Sequence, residues 1–196
     1  MILFILVGLA ASSFFDNSRG GANFQSPVAK IDLEFYEGGL PWGPKDEKAK
    51  FKENFIVLEH NGGDSLPLKS TSIRISGYGN AFTGNISDGS GTRLEGDTLV
   101  FYHDLSPEKK NTAYETRNEA VLKDGFWDVG ERLVLCGDDS AIGTSDSSVK
   151  VSVGGVEDTS DNYGFKAGSE ISLKVIDSEG RNVIADRTAV VEAVNN

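Results

Sequence analysis

From Val28 onward, apolar and polar positions alternate with a period of two. Val28, Ala29, Ile31, Leu33 and Phe35 are interleaved with Lys30, Asp32 and Glu34, as in a strand with one dry face and one wet face. The same pattern predicts strands over Asn54–His60, Ser72–Ser76, Thr98–His103, Glu131–Cys136, Val149–Val153, Ile171–Asp177, Val183–Asp186 and Thr188–Val194. Turn formers separate them, as at Asn61–Asp64 and Asp88–Gly91. Asp177-Ser178-Glu179-Gly180-Arg181 reads as a tight connection with Gly180 at a position favouring positive φ. No helical crossovers intervene, so the pattern predicts an all-β fold, an antiparallel Ig-like β-sandwich over residues 27–196. One stretch departs from the alternation. Ser106, Pro107 and Glu108 resemble a helix start, and Thr112–Lys123 a short helix lying over one edge of the sandwich.

Ahead of the domain, Met1–Phe15 reads MILFILVGLAASSFF, and the first ionisable side chain is Asp16. As a helix this run spans about 22 Å, against the about 30 Å of a bilayer's hydrocarbon core. It is therefore a marginal membrane span, expected to form a hydrophobic α-helix over residues 1–16. A cleaved secretory signal is the main rival. Ala10, Ala11 and Ser12 offer small residues for cleavage, but the positively charged opening of such signals is missing. An ordinary buried helix or strand is a third reading, and a run that starts abruptly at Met1 also looks like the later part of a longer helix. Asp16–Gln25, reading DNSRGGANFQ, is rich in turn formers. Residues 17–26 are accordingly a linker, and Pro27 opens the domain.

Length, charge and cysteine count narrow the function classes. The 196 residues suit one domain plus an appendage. Nineteen Lys and Arg against thirty Asp and Glu leave a net charge of -11, which repels phosphate backbones and makes nucleic acid a poor partner. Cys136 is the only cysteine, so neither an intrachain disulfide nor a multi-cysteine metal site can form. It reads as a small buried apolar residue in a strand.

Catalytic templates do not fit. His60 and His103 are the only histidines, and neither has the spacing that sets two zinc ligands on one helical face. No G-x-S-x-G elbow occurs. Gly77-Tyr78-Gly79 begins like a dinucleotide fingerprint, but Phe82 stands where the third glycine belongs, and the segment reads as a loop after a strand. Asp138, Asp139, Asp158 and Asp161 sit among turn formers where carboxylates can ligate calcium, yet they lack the spacing of a calcium loop and equally describe solvated turns. Asn85-Ile86-Ser87 is an N-glycosylation sequon, making Asn85 a candidate modification site if the domain lies outside a cell. No catalytic residue, metal site or cofactor is predicted.

Several segments together resemble the archaeal type IV pilin N-terminal family: the hydrophobic run, the linker, the Pro-led strand Ser26-Pro27-Val28-Ala29, and Ile56–Leu66 with its His60-x-Gly62-Gly63-Asp64 turn. Phe126-Trp127-Asp128-Val129-Gly130-Glu131, followed by Leu133 and Leu135, is similar to the family's later Gly-Glu strand opening, and Ile171–Asp186 to its closing hairpin. The resemblance implies a structural subunit of an adhesive extracellular filament and no enzyme. Ile2, Leu3, Phe4, Ile5, Leu6, Val7, Leu9, Phe14 and Phe15 would be membrane-held before assembly, then pack against other copies in a homo-oligomeric core. The domain would face outward toward a surface ligand that the resemblance leaves unknown. Family precursors carry a short basic leader cut before the helix, and this sequence shows neither leader nor cut site. Either the helix begins upstream of Met1 or the subunit is atypical.

The turn has a physical reading of its own. Gly62 and Gly63 permit positive φ and a tight reversal, Asp64 accepts a hydrogen bond from its own turn, and the His60 imidazole donates to a carbonyl across it. Two rival functions remain: a membrane-anchored or secreted β-sandwich that binds without polymerising, and a hydrolase with two carboxylates facing one cleft.

Overall fold

The computed structural model describes residues 26–42, 48–84, 91–141 and 146–194. The predicted helix over 1–16, most of the linker and the Asn85 sequon lie outside the described residues. β1 (Ala29–Gly38) is followed by a 3-10 turn, Phe51–Glu53, and by β2 (Phe55–Gly63). Along β2 burial alternates residue by residue, with Ile56, Leu58 and His60 on the dry face. β3 (Leu66–Pro67) and a second 3-10 turn, Leu68–Ser70, lead into two long strands, β4 (Thr71–Thr83) and β5 (Thr92–Tyr102). Two short helices follow, α1 (Thr112–Arg117) and α2 (Glu119–Leu122). The chain ends in strands β6 (Phe126–Trp127), β7 (Arg132–Cys136), β8 (Val149–Val153), β9 (Gly164–Phe165), β10 (Glu170–Asp177), β11 (Asn182–Val190) and β12 (Glu192–Ala193).

The fold is all-β with antiparallel sheets, as the alternation predicts. One sheet has the order β12-β1-β2-β7, the other β11-β10-β4-β5-β8 with β9 beside β4, and β3 pairs with β6 in a small ribbon. Among the described residues only the β1–β12 strand pairing is parallel. Ile31, Ile56, Leu58, Leu133 and Leu135 of the first sheet join Ile73, Ile75, Val100, Leu173 and Val175 of the second in a single buried cluster. Each such side chain removed from water contributes about 1.5–3 kcal/mol, so two faces that alternate in sequence are held by one shared core. Cys136 is buried at the end of β7 and unbridged, and burial pushes its thiol well above the usual range.

Several boundaries differ from the sequence reading for identifiable reasons. Gly77-Tyr78-Gly79 lies inside β4, not in a loop after it. A Cβ on Gly79 would stand 2.4 Å from the Gly164 carbonyl oxygen, and one on Gly77 would stand 2.8 Å from Ile171 Cγ2, so the glycines let β9 and β10 approach a continuous strand. The predicted pair Val183–Asp186 and Thr188–Val194 is one strand through Val190, with Arg187 opposite Leu173. In the β10–β11 connection the positive φ falls on Arg181, at 56°, and not on Gly180. Gly180 is instead packed against side-chain ends, a Cβ there standing 2.2 Å from Ser26 Oγ and 2.4 Å from Asp177 Oδ2, so a larger residue would displace those side chains.

The helix starts later than Ser106. Lys109 adopts a left-handed φ of 61°, which ends any helix begun at Pro107. The true cap is Asn111, whose side chain accepts from the Ala113 amide at 3.0 Å. Asn118 (φ -114°, ψ 20°) then separates α1 from α2. Its buried amide donates to the Val134 carbonyl at 2.9 Å and accepts from the Val134 N–H at 2.7 Å. Because β7 is the last strand of its sheet, this side chain supplies Val134 with the partners a further strand would have given.

Candidate functional site

Two of the motifs singled out in the sequence, His60–Asp64 and Phe126–Glu131, are distant along the chain and interlocked in space. Leu66 pairs with Trp127 and Pro67 with Phe126 across the β3–β6 ribbon. The His60 amide donates to the Glu131 carbonyl at 3.0 Å, and the Gly130 amide donates back to the His60 carbonyl at 2.7 Å. The Trp127 indole N–H donates to that same Glu131 oxygen at 3.1 Å, while the Glu131 carboxylate accepts from the Asp128 amide at 2.9 Å. The His60 ring packs edge to face on Trp127, and both side chains are fully buried.

His60–Asp64 is not the tight reversal expected of it. Its first four residues are the end of β2, still paired with β1, where Lys30 faces Gly62 and Ile31 faces His60. Asn61 is thus the extra residue of a β-bulge. Gly63 holds φ at 101°, and a Cβ there would lie 2.1 Å from the Val28 carbonyl oxygen. Asp64 reaches across to β1 and not into its own segment: its carboxylate accepts from the Val28 amide at 3.0 Å, and its amide donates to the Val28 carbonyl at 2.8 Å. His60 Nε2 donates to the Asp64 carbonyl at 2.9 Å, which leaves Nδ1 to accept from the Gly62 amide at 3.4 Å. With both nitrogens engaged by backbone and no solvent access, the ring is placed to fix chain geometry and not to exchange protons with a substrate. What it fixes is the hold of Asp64 on Val28, just ahead of β1.

A second buried cluster joins residues that sequence reading did not connect. The Tyr102 hydroxyl donates to Asp139 Oδ2 at 2.9 Å and lies 2.8 Å from the Tyr163 hydroxyl, and the Cys136 amide donates to the same carboxylate oxygen at 2.7 Å. Arg117 closes on the other oxygen of Asp139 and reaches Asp138 at 3.3 Å. Burial pushes the Asp139 carboxyl up to about 6, against the pull of the Arg117 charge and of the hydrogen bonds it accepts. Asp138 and Asp139, considered above as calcium ligands, are thus engaged by a guanidinium. Nearby, the buried Lys110 ammonium donates to the Ser106 carbonyl at 2.7 Å, Ser148 Oγ at 2.8 Å and Asp104 at 3.1 Å. All three ammonium donors are therefore used. The one signal for these networks in the sequence was polar residues at apolar strand positions, Tyr102 above all.

The other two aspartates line an open groove of about 750 Å³ on the outer face of the larger sheet. Asp161 is tied to Lys150 at 3.3 Å, and Asp158 stands exposed beside it. Among the described residues no group of three or more His, Cys, Asp or Glu is arranged to hold a metal ion, and no helix is long and apolar enough to cross a membrane. Comparison with family models, with curated proteins and with solved structures finds no match to this chain.

Proposed function

We propose that the chain is a structural subunit of an archaeal type IV pilus-like extracellular filament that serves surface adhesion. In this reading Ile2–Phe15 hold the subunit in the membrane after export and then pack with the same segment of other copies, while an Ig-like β-sandwich is displayed outward. The observation that carries it is the uncharged run Met1–Phe15 ahead of a domain whose first strand is fastened at Val28 by Asp64. A segment anchored in a filament core pulls on that strand. The bonds between Val28 and Asp64, backed by His60 and Trp127, would spread such a pull over the His60–Gly63 end of β2 and into the β3–β6 ribbon.

The strand pairing supports the finer Ig-like description. β2 pairs with β7 in one sheet while β4 pairs with β10 in the other, the exchange at the centre of an Ig-type sandwich. β8, added beyond β5, is the departure. The test is electron microscopy of surface filaments from cells carrying the native chain or Leu6→Asp. A charge in the apolar segment abolishes filaments while the β domain stays folded. Unchanged filaments would refute the reading.

The groove on the larger sheet favours a second reading, a membrane-anchored or secreted β domain that binds without polymerising. Surface fractions containing monomers alone would establish that alternative.

A further inference from the structure

The outer face of the larger sheet carries a row of residues in direct register across four strands: Lys174 of β10 opposite Arg74 of β4, Arg74 opposite Phe101 of β5, and Phe101 opposite Lys150 of β8. The two outer members are already engaged, Lys174 with Asp186 at 3.0 Å and Lys150 with Asp161 at 3.3 Å. Arg74 makes no ion pair among the described residues. Beside it, Phe101, Leu99 and Ile176 are half-buried and give the groove an apolar floor. The His103 ring sits 4.7 Å from that of Phe101 at 73° and limits how the phenyl can turn. The loop leaving β8 adds Glu157 and Asp158, both exposed and lining the same groove. Thr159 anchors that loop by donating to the Val151 carbonyl at 2.6 Å.

The site thus offers a fixed aromatic face with aliphatic neighbours, flanked by a guanidinium and by the Glu157 and Asp158 carboxylates, none of which makes an ion pair among the described residues. Its volume lies in the range of ordinary ligand sites. Charge selects among ligands. Glu157, Asp158 and Asp161 outnumber Arg74 and Lys150 in the groove, and the whole chain carries -11, so polyanions are repelled. Within the groove two cations stand against three carboxylates, a near balance that gives a polycation little net attraction there. What remains is a neutral molecule with one apolar face and edges that both donate and accept hydrogen bonds. A pyranose ring has that constitution: its C–H face lies on an aromatic ring, and its vicinal hydroxyls accept from guanidinium and donate to carboxylate.

We infer that this groove is a binding site for neutral saccharides, with Phe101 as the stacking platform and Arg74, Glu157 and Asp158 as the hydroxyl-recognising groups. The inference holds for a filament subunit and for a non-polymerising domain alike, so its outcome is separate from that of the filament reading.

The experiment is calorimetric titration of the full chain with short neutral oligosaccharides built of glucose, galactose, mannose or N-acetylglucosamine. A galacturonic acid oligomer and a zwitterionic dipeptide serve as comparison ligands. At least one neutral sugar is expected to bind with Kd between about 0.1 and 10 mM, weakened about tenfold by Arg74→Ala and by Phe101→Leu. The acidic oligomer should bind more weakly than that sugar. Arg74 is exposed, so its variant leaves the fold intact and serves as the control if Phe101→Leu unfolds. No neutral sugar binding up to about 10 mM, binding unaffected by Arg74→Ala, or preference for the dipeptide or the acidic oligomer would each overturn the assignment.

Discussion

The imidazole of His60 meets the indole of Trp127 edge to face, with ring centroids 5.8 Å apart and planes at 87°. Both residues converge on the carbonyl of Glu131, which accepts from the His60 backbone amide and from the Trp127 indole N–H. One ring pair therefore joins the end of β2 to the β3–β6 ribbon and, through Asp64, to the first residues of the domain. Replacing His60 with Ala removes this contact, opens a cavity and leaves the Gly62 amide and the Asp64 carbonyl without their ring partners. The expected loss is about 2–4 kcal/mol, read as a lower midpoint in urea unfolding. A variant as stable as the parent would show that the pair holds nothing together.

Gly63 tests the same region through the backbone. At φ 101°, with the Val28 carbonyl oxygen 2.1 Å from where a Cβ would sit, an alanine must move either β2 or the start of β1. Gly63→Ala should cost about 2–4 kcal/mol. Gly62→Ala is strained by its own φ of 156° but meets nothing within 4 Å of its Cβ, so it should cost less than Gly63→Ala. The comparison is made by thermal unfolding of the two variants side by side.

How much of this was legible beforehand depended on whether the signal was local. Alternation along Ile171–Asp177 located β10 because that strand presents one face to the core along its length, and alternation along Val28–Phe35 located β1 although irregularities at Lys30/Ile31 and Leu33/Phe35 shift its register. The far half of β4 was invisible, since Gly77 and Gly79 look like loop residues until β9 and Ile171 are seen to need their missing side chains. Likewise His60–Asp64 and Phe126–Glu131 could each be noticed, but neither announces the other, because their link runs through carbonyl oxygens and a ring stack. Arg117 with Asp139, and Asn118 with Val134, were illegible for the same reason: a polar side chain does not reveal in sequence which distant backbone group it satisfies. The groove was hidden too, as Arg74, Phe101 and Lys150 meet only once the strand register is set.

Asn118 offers a prediction about the sheet edge. Its amide serves both the N–H and the carbonyl of Val134, so Asn118→Ala leaves two backbone groups of β7 unpaired at a half-buried position. The expected cost is about 2–3 kcal/mol. Hydrogen exchange at the Val134 amide should accelerate more than exchange in β4 or β5. Uniform acceleration across all strands would contradict this local role.

Asp139 sets a pH dependence whose sign is fixed by the direction of its shift. Its folded carboxyl titrates at about 6, above the ordinary 3.8, so the folded state holds the proton more tightly than the unfolded chain does. The associated stabilisation is complete below about 4 and is lost as pH rises through about 6, to a total of about 3 kcal/mol. Glu53 and Asp32, whose carboxyls are held below their usual range by the Lys50 amide and by Asn61 respectively, act in the opposite sense. The measurement is therefore the difference between native chain and Asp139→Asn in urea unfolding across this range. That difference should fall as pH rises. Parallel profiles would show that Asp139 titrates normally.

A filament built on Ile2–Phe15 requires that this apolar segment remain part of the assembled protein. Its most direct test is the intact mass of the chain recovered from surface filaments of its native host. The filament reading predicts a mass that includes Ile2–Phe15. A mass corresponding to a start at Ser12 or later would contradict it, because the segment proposed to build the filament core would have been removed.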